Sequence, residues 1–154
     1  IRIEEPLVTS NLSAFIHDPS INIHSWKDIQ NSQYKIEYYR GSYLAQQRLT
    51  QYVSPNRLSN SSSPAQSLRK LLRGRIDVYI DIEQITIGML NNPEFSNTDI
   101  QMIARLEKTV TYGYLHQSHG ELTVKLANVF RQMKSEDRFA RHLDKAQQFI
   151  YEKP

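Results

Sequence analysis

In the N-terminal part of the chain, short apolar runs alternate with segments whose apolar residues recur at helical spacing. Leu12 to Ile16 is an apolar run, and Lys35 to Arg40 alternates between apolar and polar residues, so both predict strands. Ser25, followed three residues later by Asp28, is typical of a helix start, and the apolar spacing over Tyr43 to Val53 predicts a second helix. These patterns predict two strand–helix units.

A third unit follows a serine-rich stretch. Ser59 to Ser63 is predicted to be a solvated loop because it is polar and low in complexity. Pro64 to Arg73 has one apolar face, and we predict a helix there with Ser63 as its cap. Arg75 to Ile82 then predicts a strand and Gln84 to Asn91 a short helix.

The C-terminal part reads differently. Asp99 to Leu106 and Thr109 to Leu115 are two β-prone segments, and two amphipathic helices are predicted after Gly120. The second of these helices has its apolar residues at Phe139, Leu143, Ala146 and Ile150. Because parallel strands need crossover connections, alternating strands and helices predict an α/β fold with a mostly parallel sheet and a C-terminal αα-hairpin.

Composition excludes several classes of protein. The chain has 154 residues, a net charge of +3 and no cysteine, which excludes a disulfide framework, a thiolate metal site and a cysteine nucleophile. No apolar run approaches the roughly 20 residues that cross a bilayer. The basic residues are spread along the chain rather than gathered in a stripe, so no nucleic-acid partner is expected.

No motif for a cofactor, a metal or catalysis is present. The chain lacks both glycine-rich phosphate-binding motifs, and no acid–base pair or activated nucleophile can be recognised. His116 and His119 have no firm third ligand. We therefore expect no cofactor, no metal and no enzymatic activity.

Two short polar groups could hold a charged ligand. Gly41 and Ser42 follow a predicted strand and precede a helix, where backbone N–H groups and the helix dipole favour an anion; a plain tight turn is the alternative. Asp77, Asp81 and Glu83 surround a second strand and could hold an ammonium group. The alternative is that these acids face solvent or pair with neighbouring arginines.

The order of short motifs along the chain carries a family resemblance. The motifs are Ile3 to Leu7, Ala14 to Ile16, Ser25 to Ile29, Tyr39 to Ser42, Leu68 to Leu72 with Gly74 to Asp77, and Tyr114 to His116. Together they resemble the family 3 bacterial solute-binding proteins, which are periplasmic, amino-acid-type receptors of ABC transporters and related sensor domains. The resemblance implies a type II periplasmic-binding fold, a two-lobed clamshell that closes over its ligand.

The resemblance also implies a division of the chain into four segments. Residues 1–11 would be the hinge strand into the second lobe, 12–102 that α/β lobe, 103–118 the return hinge, and 119–154 the helices that complete a largely absent first lobe. A small polar ligand such as an amino acid would bind between the lobes.

The same resemblance identifies candidate site residues. Gly41, Ser42 and Tyr43 match the turn that helps hold the ligand carboxylate, and Arg40 precedes it. The position of the family's amine-binding aspartate is Ile82 here, with an acid on either side. The candidate ligand-binding residues are therefore Arg40, Gly41, Ser42, Tyr43, Asp81 and Glu83.

The function expected from the resemblance is solute binding outside the cytoplasm. The protein would be periplasmic and would deliver its ligand to a membrane permease or a sensor partner for ABC transport. The alternative is a non-transport sensor or interaction domain of the same fold, including a truncated or domain-swapped homodimer. An enzyme of this fold, such as a dehydratase, is a weaker third alternative.

Overall fold

Strands and helices alternate through most of the computed structural model, which describes residues 1–142 and 145. The strands are β1 (Arg2–Ile16), β2 (Ile36–Tyr39), β3 (Leu58–Ser61), β4 (Val78–Ile82) and β5 (Gln101–Tyr114). The helices are α1 (Trp26–Asn31), α2 (Tyr43–Tyr52), α3 (Pro64–Leu72), α4 (Glu83–Leu90) and α5 (Leu122–Ser135). Short 3₁₀ turns lie at Pro55–Arg57 and Gln117–His119.

The strands form one five-stranded sheet in the order β3-β2-β4-β1-β5. β2 is parallel to both β3 and β4, with Ile36 beside Val78 and Tyr38 beside Ile80, whereas β1 is antiparallel to β4. The carboxyl ends of β2 and β4 therefore meet at one edge of the sheet. The α/β fold class predicted from the sequence is confirmed, with β1 as an antiparallel member.

Each face of the sheet carries its own apolar core because side chains alternate along the strands. On one face, α1 and α2 pack on the sheet through Ile29, Ala45 and Leu49. On the other face, Leu68 and Leu71 of α3 pack on the sheet. The strand residues of that second core are Phe15 and Tyr79, joined by Phe95 from the segment after α4.

Two predictions about strands are corrected. Ser59 to Ser63 was expected to be a loop, but Leu58–Ser61 forms the edge strand β3. Serine suits this position because the Ser59 and Ser61 hydroxyls donate to the carboxylate of Glu37 on β2, so the strand buries polar side chains with their hydrogen bonds satisfied. The two β-prone segments after Asp99 form a single strand, β5.

The predicted helix caps at Ser25 and Ser63 are confirmed. The Ser25 hydroxyl accepts from the backbone N–H of Asp28 at 3.3 Å, and the Ser63 hydroxyl accepts from that of Gln66 at 3.3 Å. Each cap satisfies one of the free donors in the first turn of its helix.

The chain divides into two compact units, Ser10–Lys108 and a second made of Ile1–Thr9 with the described residues from Thr109 onward. In the second unit, Ile1 and Leu115 exchange backbone hydrogen bonds of 2.6 and 2.9 Å. Glu5 accepts from Arg131 and Lys134, which links the start of β1 to α5. The four segments inferred from the family resemblance stay a prediction.

The second predicted C-terminal helix is described only in part. Residues 138–142 are helical, and the Phe130 and Phe139 rings lie 6.1 Å apart. Leu143, Ala146 and Ile150, which were predicted to continue its apolar face, lie outside the described residues. Within the described chain, no helix combines the length and the apolar character needed to cross a membrane.

Candidate functional site

The candidate residues belong to the unit formed by residues 10–108 and lie at or just after the ends of two neighbouring parallel strands. Ser42 comes three residues after the end of β2, and Glu83 begins α4 directly after β4. Parallel pairing of β2 with β4 brings these two strand ends to the same edge. Asp77 precedes β4, so it lies at the opposite edge, where its carboxylate accepts from the backbone N–H of Lys35 at 2.7 Å.

Ser42 is the N-cap residue of α2, and its hydroxyl caps no backbone N–H. Its own N–H donates to Tyr39 at 2.8 Å, which closes the turn, and its carbonyl accepts from Gln46 at 3.0 Å as the first bond of the helix. The N–H groups before Gln46 in the first turn have no intrahelical acceptor. Together with the helix dipole they provide a partial positive charge that suits an anion.

The Tyr39 ring packs directly against Gly41 within the turn. A β-carbon at Gly41 would lie 2.3 Å from Cζ of the Tyr39 ring, closer than any nonbonded carbon contact allows. The ring fills the space where a side chain at position 41 would begin, so a larger residue there would have to displace it.

Arg40 and Tyr43 flank the turn and are exposed. The Nε of Arg40 donates to the side-chain carbonyl of Asn60 at 3.0 Å, and its backbone N–H donates to Ser61 at 2.9 Å, so this residue is fixed to β3. Tyr43 is 74% exposed. Its ring makes little contact with the unit.

Asp81 lies in β4 beneath the Ser42 turn and is fully buried. Its Oδ2 accepts from the Tyr79 hydroxyl at 2.6 Å, while its Oδ1 has no hydrogen-bond partner in the described part of the chain. Burial raises the pKa of Asp81, opposed by the Tyr79 hydroxyl, the Ile82 amide and the nearby Ser42 hydroxyl. Burial therefore disfavours the charged form of this carboxyl.

Glu83, by contrast, is held in an ion pair. Arg105 on β5 donates from Nε and from one terminal nitrogen to the two Glu83 oxygens, at 2.8 and 2.7 Å. The Asn11 side-chain amide donates to the same carboxylate at 2.8 Å. The hydrogen bond from Arg105 is the main cause that lowers the pKa of Glu83.

A separate open pocket lies at the opposite edge of the sheet, where β1 ends and β5 begins. Its volume is about 760 Å³, and no candidate ligand-binding residue lines it. The lining residues are His17, Asp18, Pro19, Asp99, Ile100 and Gln101. Among the described residues, no three His, Asp or Glu side chains converge so as to hold a metal ion.

Comparisons place this geometry among known folds, although no protein-family model matches the sequence. The chain superposes with a TM-score of 0.71 on an amino acid ABC transporter substrate-binding protein from Streptococcus pneumoniae bound to L-arginine, at 16% identity, over 96% of this chain and 61% of that one. The fold is that of a periplasmic-binding-protein-like lobe. A second match, at 14% identity and a TM-score of 0.70, is an ancestral amino-acid-binding protein described as a precursor of cyclohexadienyl dehydratase; it covers 94% of this chain and 60% of that one.

One sequence relative is also similar over nearly the whole chain. It is an uncharacterized protein from Shewanella oneidensis, 45% identical over 146 residues, which are 95% of this chain and 55% of that protein. The chain therefore spans about half the length of its curated relative and about 60% of the structural neighbours.

Sequence reasoning missed Arg105, Asn11 and Tyr79, the partners of the two acids. Tyr79 was detectable in principle, because it lies two residues before Asp81 and the side chains of alternate strand residues share a face. Arg105 is separated from Glu83 by 22 residues, and no local pattern links the two. The sequence signal was a single arginine within a β-prone segment, which is also what a solvated strand face shows.

Proposed function

We propose that this chain is part of a periplasmic solute-binding protein that binds a small polar ligand for ABC transport. Its 10–108 unit would be one lobe of a two-lobed receptor, and the first turn of α2 at Ser42 would hold an anionic group of the ligand. A membrane permease or a sensor would be the partner of the loaded receptor.

The position of the Ser42 turn is the main support for this proposal. It lies at the carboxyl edge of a mixed α/β sheet, where open α/β sheets bind ligands, and its first-turn donors are not used by the helix. The fold similarity extends over 96% of the chain to a substrate-binding protein of an amino acid transporter. That similarity supports a lobe of this kind and leaves the ligand to be identified.

Ligand binding is tested by thermal unfolding of the full-length protein with a panel of amino acids and small carboxylates. A ligand at about 100 times its dissociation constant adds roughly 2.7 kcal/mol to the free energy of unfolding. For a protein of this size the expected rise in melting temperature is about 5 to 10 °C. A panel in which no compound raises the melting temperature would contradict solute binding.

The role of the turn is tested by adding one negative charge beside it. Tyr43→Glu removes little packing, since Tyr43 is 74% exposed, and a first-turn carboxylate favours the helix. It should weaken binding of an anionic ligand about tenfold, equivalent to roughly 1.4 kcal/mol of repulsion. Gln51→Glu is the control, because it adds the same charge about 12 Å further along the helix axis. An equal loss of affinity for the anionic ligand in both variants would contradict an anion site at Ser42.

The alternative function, an interaction domain that forms a homodimer, is supported by α5. Leu122 and Val129 lie two turns apart on one side of this helix and are 38% and 47% exposed, while Val124 is 68% exposed. These exposed apolar side chains would pack against the same helix of a second copy of the chain. Light scattering of the full-length protein decides between the two: a monomer that binds a solute excludes this alternative.

A further inference from the structure

The charged groups at the Ser42 edge determine which ligand the proposed site accepts. An amino acid needs a donor set for its carboxylate and an accessible carboxylate for its ammonium group. The turn at Ser42 can supply the donors. The three acids that the sequence offered for the ammonium group are each engaged or out of reach.

Glu83 already binds a cation of the protein itself. Both of its oxygens accept from the Arg105 guanidinium, at 2.8 and 2.7 Å, and Oε2 also accepts from Asn11. The residue is only 8% exposed, so little of the carboxylate remains for a further partner. A bidentate guanidinium is a more directional partner than an ammonium group, so a ligand amine would compete poorly with it.

Asp81 and Asp77 cannot take the role of Glu83. Asp81 is completely buried below the turn, so a ligand ammonium group cannot reach it, and burial raises the pKa of its carboxyl. Among the described residues its Oδ1 makes no hydrogen bond within normal geometry, and the Ser42 hydroxyl lies nearby. Asp77 lies at the other edge of the sheet, where its carboxylate accepts from Lys35.

We propose that the Ser42 site takes a small carboxylate solute without an ammonium group, and that Arg105 sets this preference by occupying Glu83. The proposal rests on the proposed function, because it assumes that the Ser42 turn holds the anionic group of a ligand. Arg105 is then a specificity-determining residue. Its side chain is 59% exposed even while it pairs with Glu83.

The test compares ligands that differ only in the amine. Dissociation constants of the full-length protein are measured by calorimetry for succinate against aspartate and for glutarate against glutamate. We expect the amine-free member of at least one pair to bind at least tenfold more tightly. Comparable or tighter binding of the amino acids would overturn the inference and leave the proposed function standing. If neither class binds, the proposed function itself fails.

The role of Arg105 is tested by releasing Glu83. Arg105→Met should reduce the ratio of the two dissociation constants, amino acid over amine-free solute, at least tenfold. The reason is that the Glu83 carboxylate becomes free to bind the ammonium group. Arg48→Met is the charge-matched control: it breaks the bidentate pair with Glu107, at 2.7 and 2.6 Å, and frees an acid on the edge strand β5 instead. The preference of this control should equal that of the wild type.

A second variant keeps the assignment testable if Arg105→Met does not fold. Arg105→Lys retains the charge and replaces a two-point contact with a single ammonium group, which leaves one Glu83 oxygen less engaged. The preference should then narrow, by less than in Arg105→Met. A preference unchanged from the wild type in the folded variant would overturn the role of Arg105.

Discussion

A buried carboxylate on the α3 side of the sheet provides a quantitative test of the fold. Glu37 is completely buried in β2 and accepts from Ser59 at 2.7 Å, from Ser61 and from the Lys70 ammonium group at 2.7 Å. Lys70→Met removes the only cation among these partners and leaves a buried carboxylate with two hydroxyl donors. A hydrogen bond to a charged group contributes roughly 1.5 to 3 kcal/mol, so we expect a loss of about 2 kcal/mol at pH 7.

The same pair predicts how this loss depends on pH. Burial acts to raise the pKa of Glu37, but the hydrogen bonds from Lys70, Ser61 and Ser59 outweigh it, so the pKa is lowered overall. A carboxyl with a lowered folded-state pKa stabilises the protein above its unfolded pKa of about 4.3, and this stabilisation is lost as the pH falls through the folded-state pKa. The difference between wild type and Lys70→Met should therefore be largest near neutral pH and shrink as the pH falls below about 4.

Urea unfolding followed by circular dichroism measures both effects. With a slope of about 2 kcal/mol per molar, a loss of about 2 kcal/mol moves the midpoint by about 1 M. Lys27→Met on α1 is the control, because Lys27 is exposed and has no ion pair within the described chain; its effect should stay within about 0.5 kcal/mol. Equal midpoints for the two variants, or a difference independent of pH, would refute the reasoning.

Three further substitutions test single features. Asp81→Asn should increase the free energy of unfolding near neutral pH. Burial raises the folded-state pKa of Asp81, so the wild type loses stability as the pH rises from the unfolded-state pKa towards the folded-state pKa, and Asn removes this loss. A pH series of urea unfolding curves checks the sign. Gly41→Ala should destabilise the protein by about 1 to 3 kcal/mol because the new methyl group meets the Tyr39 ring. The loss caused by Gly41→Ala should be much smaller when it is measured in a Tyr39→Ala background. A β-carbon at Gly74 meets no atom within 4 Å, so Gly74→Ala should lower the free energy of unfolding by about 1 to 2 kcal/mol through the positive φ of 62° alone. A double-mutant cycle should show that this loss is unaffected by Tyr39→Ala.

Local signals predicted most of the fold because they act over three or four residues. The cap at Ser25 lies three residues from the N–H that it binds, and Gly74 stops α3 with a left-handed residue. The serine-rich strand could not be predicted in this way, because its composition is typical of a loop. It pairs in parallel with β2, more than 20 residues earlier in the chain, where Glu37 accepts from its hydroxyls.

In the candidate site, too, features formed by neighbouring residues could be predicted, whereas contacts between residues far apart in the sequence could not. The Ser42 turn could be identified from a strand, a glycine and a helix that are adjacent in the sequence. Whether Glu83 is free for a ligand depends on Arg105 and Asn11, which lie 22 and 72 residues away. Sequence reasoning could name the acids near the site, and only the three-dimensional structure shows which of them are already neutralised.

Internal neutralisation of the acids is the reason that we expect this edge to accept an anion, although the chain has nearly as many acidic as basic residues. Glu37 is paired with Lys70 and Glu83 with Arg105, while burial favours the neutral form of Asp81. The first-turn N–H groups after Ser42 are not compensated in this way, since no side-chain cap covers them. The field that an approaching solute meets at this edge comes from the helix terminus and from the exposed guanidinium of Arg40, which bonds to the neutral side chain of Asn60, and both attract a carboxylate.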